Sequence, residues 1–194
     1  MRSRASLSVR SQESGVKNGC NIFEMLFLVK PFVPSYNAFM PLEKTVARLL
    51  LAMHKTLAIA ESCTGGLLTH RLTNISGSSK FLEAAVVAYS NKAKQKLLKI
   101  PSRMLRQHGA VSKHTASAMA RSVRKIHKTD FGIGITGIAG PTGATKTKPV
   151  GLVYIALSVS AETLCLQCLF KGDRTHIKRQ ASTQALRLLK KCLS

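Results

Sequence analysis

The run Leu57-Ala-Ile-Ala-Glu61-Ser62-Cys63-Thr64-Gly65-Gly66 ends a short apolar stretch on a hydroxyl, with two glycines close behind. If the stretch is a buried strand and a helix follows, Ser62 stands at the carboxyl edge of a sheet, beside backbone amides that the first helical turn leaves unpaired. A serine placed there can attack a carbonyl carbon while amides around Cys63, Thr64, Gly65 and Gly66 hold the oxyanion. The arrangement works like a nucleophile elbow without the GxSxG sequence. The plainer alternative is that Ser62 or Thr64 only caps the helix. A nucleophilic serine needs a base, and no histidine is nominated by its context: His108 and His114 flank a turn, and the others fall on exposed helix faces. A lysine can serve when burial, neighbouring cations or the positive end of a helix keeps its amine neutral. Lys94 is the candidate, in the first turn of a helix after Val86-Val-Ala-Tyr89-Ser-Asn91 and among Lys92, Lys96 and Lys99. Tyr89, at the end of the preceding strand, is placed to relay a proton or orient the pair. The plain alternative for each of these lysines is a solvated surface position.

Two sequences look like nucleotide motifs and fail on context. Gly132-Ile-Gly134-Ile-Thr-Gly137 matches GxGxxG, but that motif is a turn between strand and helix, whereas here it reads as the strand itself. Gly140-Pro-Thr-Gly-Ala-Thr-Lys146-Thr147 approaches a Walker loop, yet Thr145 stands where the second glycine is needed and Pro149 with a strand follows. The loop still carries hydroxyls and lysines just past a strand end, a sensible seat for a substrate phosphate. Cys165 and Cys168 have CxxC spacing but lie in a strand-like run without the second ligand pair that zinc needs. Burial in the strand is the expectation.

The elements that must position these residues alternate. Apolar spacing predicts a helix over 42–53, a buried strand over 56–60, a helix over 64–72 and a strand over 81–88. Ser90 is a plausible cap for a helix over 91–98, followed by a helix over 114–127, a strand over 131–135 and a loop over 137–149. Strands over 151–160 and 163–170 pair through a tight turn, and a long helix over 173–192 closes the chain. The expected fold is α/β, three layers α/β/α around a mixed, mostly parallel sheet whose last two strands form the antiparallel part.

Composition sets limits on the chemistry. The 194 residues suffice for one ordinary domain, with 45% hydrophobic residues but only 5% aromatic, so few surfaces can stack on bases. With two aspartates, Asp130 and Asp173, among 8 acidic residues, carboxylate-pair glycosidases and two-metal phosphatases are nearly excluded. A net charge of +22 invites a polyanionic partner, and between Ala84 and Thr129 there are eleven lysines and arginines with no acid. Charge alone does not separate a solvated basic face from a phosphate or nucleic-acid footprint. Five irregularly spaced cysteines form no disulfide framework, which suits a reduced, cytoplasmic location. Residues 1–39 differ in character, being Arg- and Ser-rich and then briefly apolar over 22–33, too short and broken to span a bilayer. They are expected to be a disordered extension or an overextended start ahead of a domain over 40–194.

In order along the chain, Ala60-Glu61-Ser62-Cys63-Thr64-Gly65-Gly66, Tyr89-Ser-Asn-Lys-Ala-Lys94, His108-Gly-Ala-Val-Ser112, Thr136-Gly-Ile-Ala-Gly-Pro-Thr-Gly143, Lys148-Pro-Val-Gly151 and Phe170-Lys-Gly-Asp-Arg174 resemble the carboxy-terminal domain of the CinA family. The resemblance runs from Met40 to the end and is similar to the stand-alone form of that domain, the nicotinamide-nucleotide amidohydrolase. It implies conversion of nicotinamide mononucleotide to nicotinate mononucleotide and ammonia, with Ser62 as nucleophile working with Lys94 and Tyr89. It implies substrate contacts from Thr136, Gly137, Gly140, Pro141, Thr142 and Gly143, with no cofactor and no metal. Departures are Gly143-Ala144 where relatives often carry paired glycines, and Arg121-Ser122 where relatives often carry Glu or Asn before a glycine. Ser122-Val-Arg-Lys125 mimics an SxxK pair but lies within a helix and is taken as chance. Two other classes stand beside the enzyme: a non-enzymatic basic adaptor in DNA uptake or repair, and a degenerate domain that binds a pyridine nucleotide without turning it over. A homo-oligomer is expected, and no membrane partner.

Overall fold

The computed structural model describes residues 40–194; the extension expected over 1–39 lies outside the described residues. Leu42–Ala52 forms α1, and Leu57–Glu61 forms β1, a strand buried at every position. Then come α2 (Leu67–Thr73), a single 3-10 turn (Ser78–Lys80), β2 (Leu82–Val87) and α3 (Asn91–Leu98). The remainder is α4 (Ser102–His108), α5 (Lys113–His127), β3 (Phe131–Gly137), β4 (Leu152–Ser158), β5 (Thr163–Leu169) and α6 (Arg174–Leu193). The five strands lie in the order β2-β1-β3-β4-β5, parallel across β2-β1-β3 and antiparallel across β3-β4-β5. Only β4 runs against the others, so the expected mixed and mostly parallel sheet is what the chain builds.

Helices cover both faces of this sheet. On one, Ala58 and Ala60 of β1 meet Met119 and Val123 of α5, Leu98 of α3 and Leu105 of α4. On the other, α6 packs on β4 and against α1 and α2. Alternation decides which residue faces which layer, since side chains along a strand point to opposite faces in turn. Ala58 and Ala60 therefore look toward α5 while Leu57, Ile59 and Glu61 look toward the α2 side. The GxGxxG run finds its explanation here. A Cβ on Gly134 would strike the Ala116 carbonyl and the Ala120 amide of α5, and one on Gly132 would strike the Ala120 carbonyl and the Arg124 stem. These glycines let a helix lie directly on the strand; they do not cradle a phosphate.

Three local expectations change. The helix expected from Thr64 begins only at Leu67, because residues 63–66 form a turn with Gly65 and Gly66 in left-handed conformations. Ser102–His108 is helical although no periodic apolar stripe announces it, since Leu105 is the only residue there that is buried. Cys165 and Cys168 are half-buried in β5, not buried, and their separation of three residues puts them on opposite faces of the strand. Among the described residues no helix is long and apolar enough to cross a membrane.

Candidate active site

Every parallel strand here ends at the same edge of the sheet, and the chain collects its polar chemistry there. At the end of β1 the side chain of Glu61, fully buried, turns under the start of α2. Its carboxylate accepts from the amides of Gly66 (3.0 Å), Leu68 (3.2 Å) and Thr69 (2.9 Å) and from the Thr69 hydroxyl (2.7 Å). A carboxylate at a helix N-terminus satisfies its unpaired amides and suits its dipole. Glu61 is therefore the cap, and the alternative that Ser62 or Thr64 caps this helix does not hold. The Thr64 hydroxyl is buried with no hydrogen-bond partner.

Relieved of capping, Ser62 Oγ accepts a hydrogen bond from Lys94 Nζ at 2.9 Å. Lys94 comes from the first turn of α3, which Ser90 caps by accepting from the Ala93 amide. Its side chain is 1% exposed, and its amine also donates to the Ala88 carbonyl at 2.9 Å and, at 3.5 Å, to the Tyr89 carbonyl. No carboxylate sits beside it. Burial disfavours the ammonium and holds the Lys94 amine below the ordinary lysine value of 10.5, only partly opposed by the neighbouring Cys63 sulfur. The Cys63 thiol lines the same cavity, and burial pushes it up to about 12. Hence Cys63 is a thiol at neutral pH and Ser62 is the better-prepared nucleophile.

A cavity of about 250 Å³ opens over this pair. The structure brings to it Ser62, Cys63, Tyr89, Lys94, Thr136, Gly137, Gly140, Thr142 and Gly143 of the positions singled out from the sequence. Thr64, Gly65, Gly66 and Pro141 do not line it. The Gly65 amide is used by the Ser62 carbonyl and the Gly66 amide by Glu61, which leaves Cys63 and Thr64 as the amides of that turn not committed to holding it. The Thr136 hydroxyl donates to the Ala110 carbonyl at 2.8 Å, fastening the turn between α4 and α5 to the cavity wall. Ala110 and Val111 line the cavity as a result.

Tyr89 is 60% exposed and does not reach the Ser62-Lys94 pair through its hydroxyl. That oxygen accepts from Arg174 Nη2 at 2.7 Å, and Arg174 Nη1 donates to the Gly140 carbonyl at 2.6 Å. Arg174, the first residue of α6, thereby ties the β2 end to the glycine-rich loop and puts a cation on the cavity wall. In the sequence, Arg174 stands out only within a motif, and Glu61 only as a neighbour of the serine. The signal for Glu61 is a lone acid ending an apolar strand four residues ahead of two glycines and a helix. No local signal marks Arg174, because its partners lie far from it along the chain. No group of three His, Cys, Asp or Glu stands together for a metal ion among the described residues.

With the geometry in place, comparison with known proteins decides the family. The CinA C-terminal domain profile matches residues 40–193. The chain belongs to the CinA C-terminal domain family. A CinA-like protein of Syntrophus aciditrophicus (strain SB) is 54% identical over 154 residues, covering 79% of this chain and 37% of that protein. A CinA-like protein of Koribacter versatilis (strain Ellin345) is 48% identical over 152 residues, 78% of this chain and 37% of its own. The chain thus spans a little over a third of the length of the curated CinA relatives it matches. Among solved structures, the competence or damage-inducible protein from Enterobacter asburiae superposes with a TM-score of 0.76 at 34% identity, covering 79% of this chain and 96% of that one. The competence/damage inducible protein CihA from Agrobacterium tumefaciens gives a TM-score of 0.73 at 34% identity, over 78% and 96% of the two chains.

Proposed function

We propose that this CinA domain hydrolyses the carboxamide of nicotinamide mononucleotide, releasing nicotinate mononucleotide and ammonia. The observation that carries the reading is the buried Lys94 amine at 2.9 Å from Ser62 Oγ with its proton affinity lowered. A lysine held this way costs stability and is retained where chemistry uses it. Ser62 Oγ attacks the carboxamide carbon as Lys94 Nζ takes its proton, and the amides of Cys63 and Thr64 receive the oxyanion. Collapse of the tetrahedral intermediate breaks the C–N bond, and Lys94 returns the proton to the departing ammonia. Water, deprotonated by the same amine, then cleaves the Ser62 ester to the carboxylate. Tyr89 acts through Arg174, shaping the wall opposite the serine and orienting the substrate, not through proton relay. The substrate phosphate is directed toward Arg174 and the Thr142-Gly143 segment, where the cavity is exposed and cationic.

The test is ammonia release from nicotinamide mononucleotide by the wild-type chain, Ser62→Ala and Lys94→Ala, with a chelator present. Turnover in the wild type, with losses of about 10²-fold to 10⁴-fold in each variant, is the expected result. Folded protein that binds the nucleotide and releases no ammonia would replace this reading by the degenerate binding domain. Salt-dependent DNA binding that survives Ser62→Ala, again without ammonia release, would replace it by the adaptor.

A further inference from the structure

We infer that a second anion site lies at the opposite edge of the sheet from Ser62, and that it takes a small phosphate monoester. Its position follows from the register. Gly132, at the start of β3, pairs with Ser158 at the end of β4, whereas the catalytic cavity gathers at Gly137. Five residues of strand rise separate the two, about 16 Å. There the C-terminal half of α5 and the hairpin joining β4 to β5 flank a half-open cavity of about 350 Å³. At about 30 Å³ per water that is room for roughly ten waters, more than a bare ion needs and enough for a phosphate with a small organic group.

The walls suit that chemistry. Arg121, Arg124 and Lys125 line it together with Ser158, Ser160 and Thr163, the Thr163 hydroxyl donating to Ser158 Oγ at 3.2 Å. A single carboxylate, Glu162, lines it too, so cations outnumber acids three to one. Arg124 is the anchor: its Cβ lies against Gly132, where a side chain would collide with it, so α5 seats the base of this residue directly on β3. Its Nε is buried and has no hydrogen-bond partner, which leaves a desolvated donor waiting for an acceptor. A guanidinium fork, a lysine and hydroxyl donors are the groups that recognise the tetrahedral oxygens of phosphate. The cavity is a half-open cleft between α5 and the hairpin, a concave shape that suits a small ligand better than the convex side of a duplex. α5 links the two edges, since its N-terminal turn adjoins Ala110 and Val111 of the catalytic cavity.

Calorimetric titration of the full chain with ribose 5-phosphate, using ribose as the uncharged control, tests the site. Binding of ribose 5-phosphate, but not ribose, is expected in the wild type. One binding component should fall at least tenfold in the Arg121→Gln/Lys125→Gln double variant and persist in Arg174→Gln, which removes only binding at the catalytic edge. Ser160→Glu, at an exposed hairpin position, should weaken binding by repulsion and serves if the double variant does not fold. Absence of binding in the wild type, equal binding in the double variant and Ser160→Glu, or loss confined to Arg174→Gln would each overturn the proposal. So would a 12-base-pair duplex that binds through Arg121 and Lys125 while ribose 5-phosphate binds no form.

Discussion

Lys94 shows how a single buried group divides its effects between stability and chemistry. Its side chain is 1% exposed with no acid beside it, so folding strips the amine of water and lowers its proton affinity below the unfolded value of 10.5. Between the folded and unfolded pKa values the unfolded chain binds more protons, so stability rises with pH across that window. The cost is complete below the folded pKa and gone above 10.5. Lys94→Met, close in volume, removes this cost, and its midpoint of thermal unfolding should equal or exceed that of wild type. A gain of about 1 kcal/mol would raise it about 2–4 °C, most at acidic pH and vanishing toward alkaline pH. The same variant should lack activity. A lower midpoint at every pH would show Lys94 to be a structural residue. The rate of the wild type should climb as pH passes the lowered Lys94 value and then level, because only the free amine accepts the Ser62 proton; a rate falling over that range would exclude it as the base. Cys63, pushed up to about 12 by burial, carries a thiolate fraction of only about 10⁻⁴ at pH 8. Iodoacetamide at that pH should therefore leave ammonia release unchanged over an hour, and rapid inactivation would shift the nucleophile from Ser62 to its neighbour.

At the level of elements, α5 and β3 are held at backbone contact by glycine. A methyl group on Gly134 would meet the Ala116 carbonyl and the Ala120 amide, atoms that belong to a helix and cannot swing aside. Gly134→Ala should therefore cost about 2–3 kcal/mol, the upper range for overpacking, seen as a lower urea midpoint with an unchanged slope. A variant of wild-type stability would mean that α5 rides free of the strand. The glycines were legible in the sequence as a motif, but their purpose was not, since spacing alone cannot tell a phosphate turn from a helix seat. Strands and the longer helices were legible because their apolar periods persist over several turns or alternations. The start of α2 was not, because Glu61 reaches forward to cap it from five residues before Gly66, and cap rules look for a short side chain at the boundary. Ser62 and Lys94 were legible from strand-end and helix-start context, but their contact was not. It spans 32 residues and rests on the parallel pairing of β1 with β2. Tyr89 was legible as a member of the site, whereas its partner Arg174 sits 85 residues away and only the closed fold brings them together.

The whole molecule must tolerate its own charge. Thirty lysines and arginines face 8 acidic residues, and among the described residues three ion pairs are formed, one of them with a histidine. Lys55 with Asp130 joins the start of β1 to the start of β3, and Arg71 with Glu43 joins α2 to α1. Both are partly exposed, so each contributes about 1 kcal/mol or less, too little to offset repulsion among so many cations. Compaction brings these charges closer than the unfolded chain holds them, and the resulting self-repulsion opposes folding until salt screens it. The screening length falls from about 30 Å at 0.01 M to about 8 Å at 0.15 M, from the width of the domain to the spacing of neighbouring side chains. The thermal midpoint in potassium chloride should therefore rise by several degrees between 0.01 and 0.15 M and little thereafter. A chain stabilised mainly by ion pairs would respond in the opposite sense, losing stability as salt weakens them. Repeating the series in potassium phosphate at equal ionic strength separates screening from occupancy. Bulk screening depends only on ionic strength, whereas filling a site on the folded chain adds stability that grows with the logarithm of phosphate concentration above its Kd. An additional rise in phosphate that disappears in Arg121→Gln/Lys125→Gln assigns it to the cavity between α5 and the β4-β5 hairpin. The same rise in both forms assigns it to the basic surface as a whole.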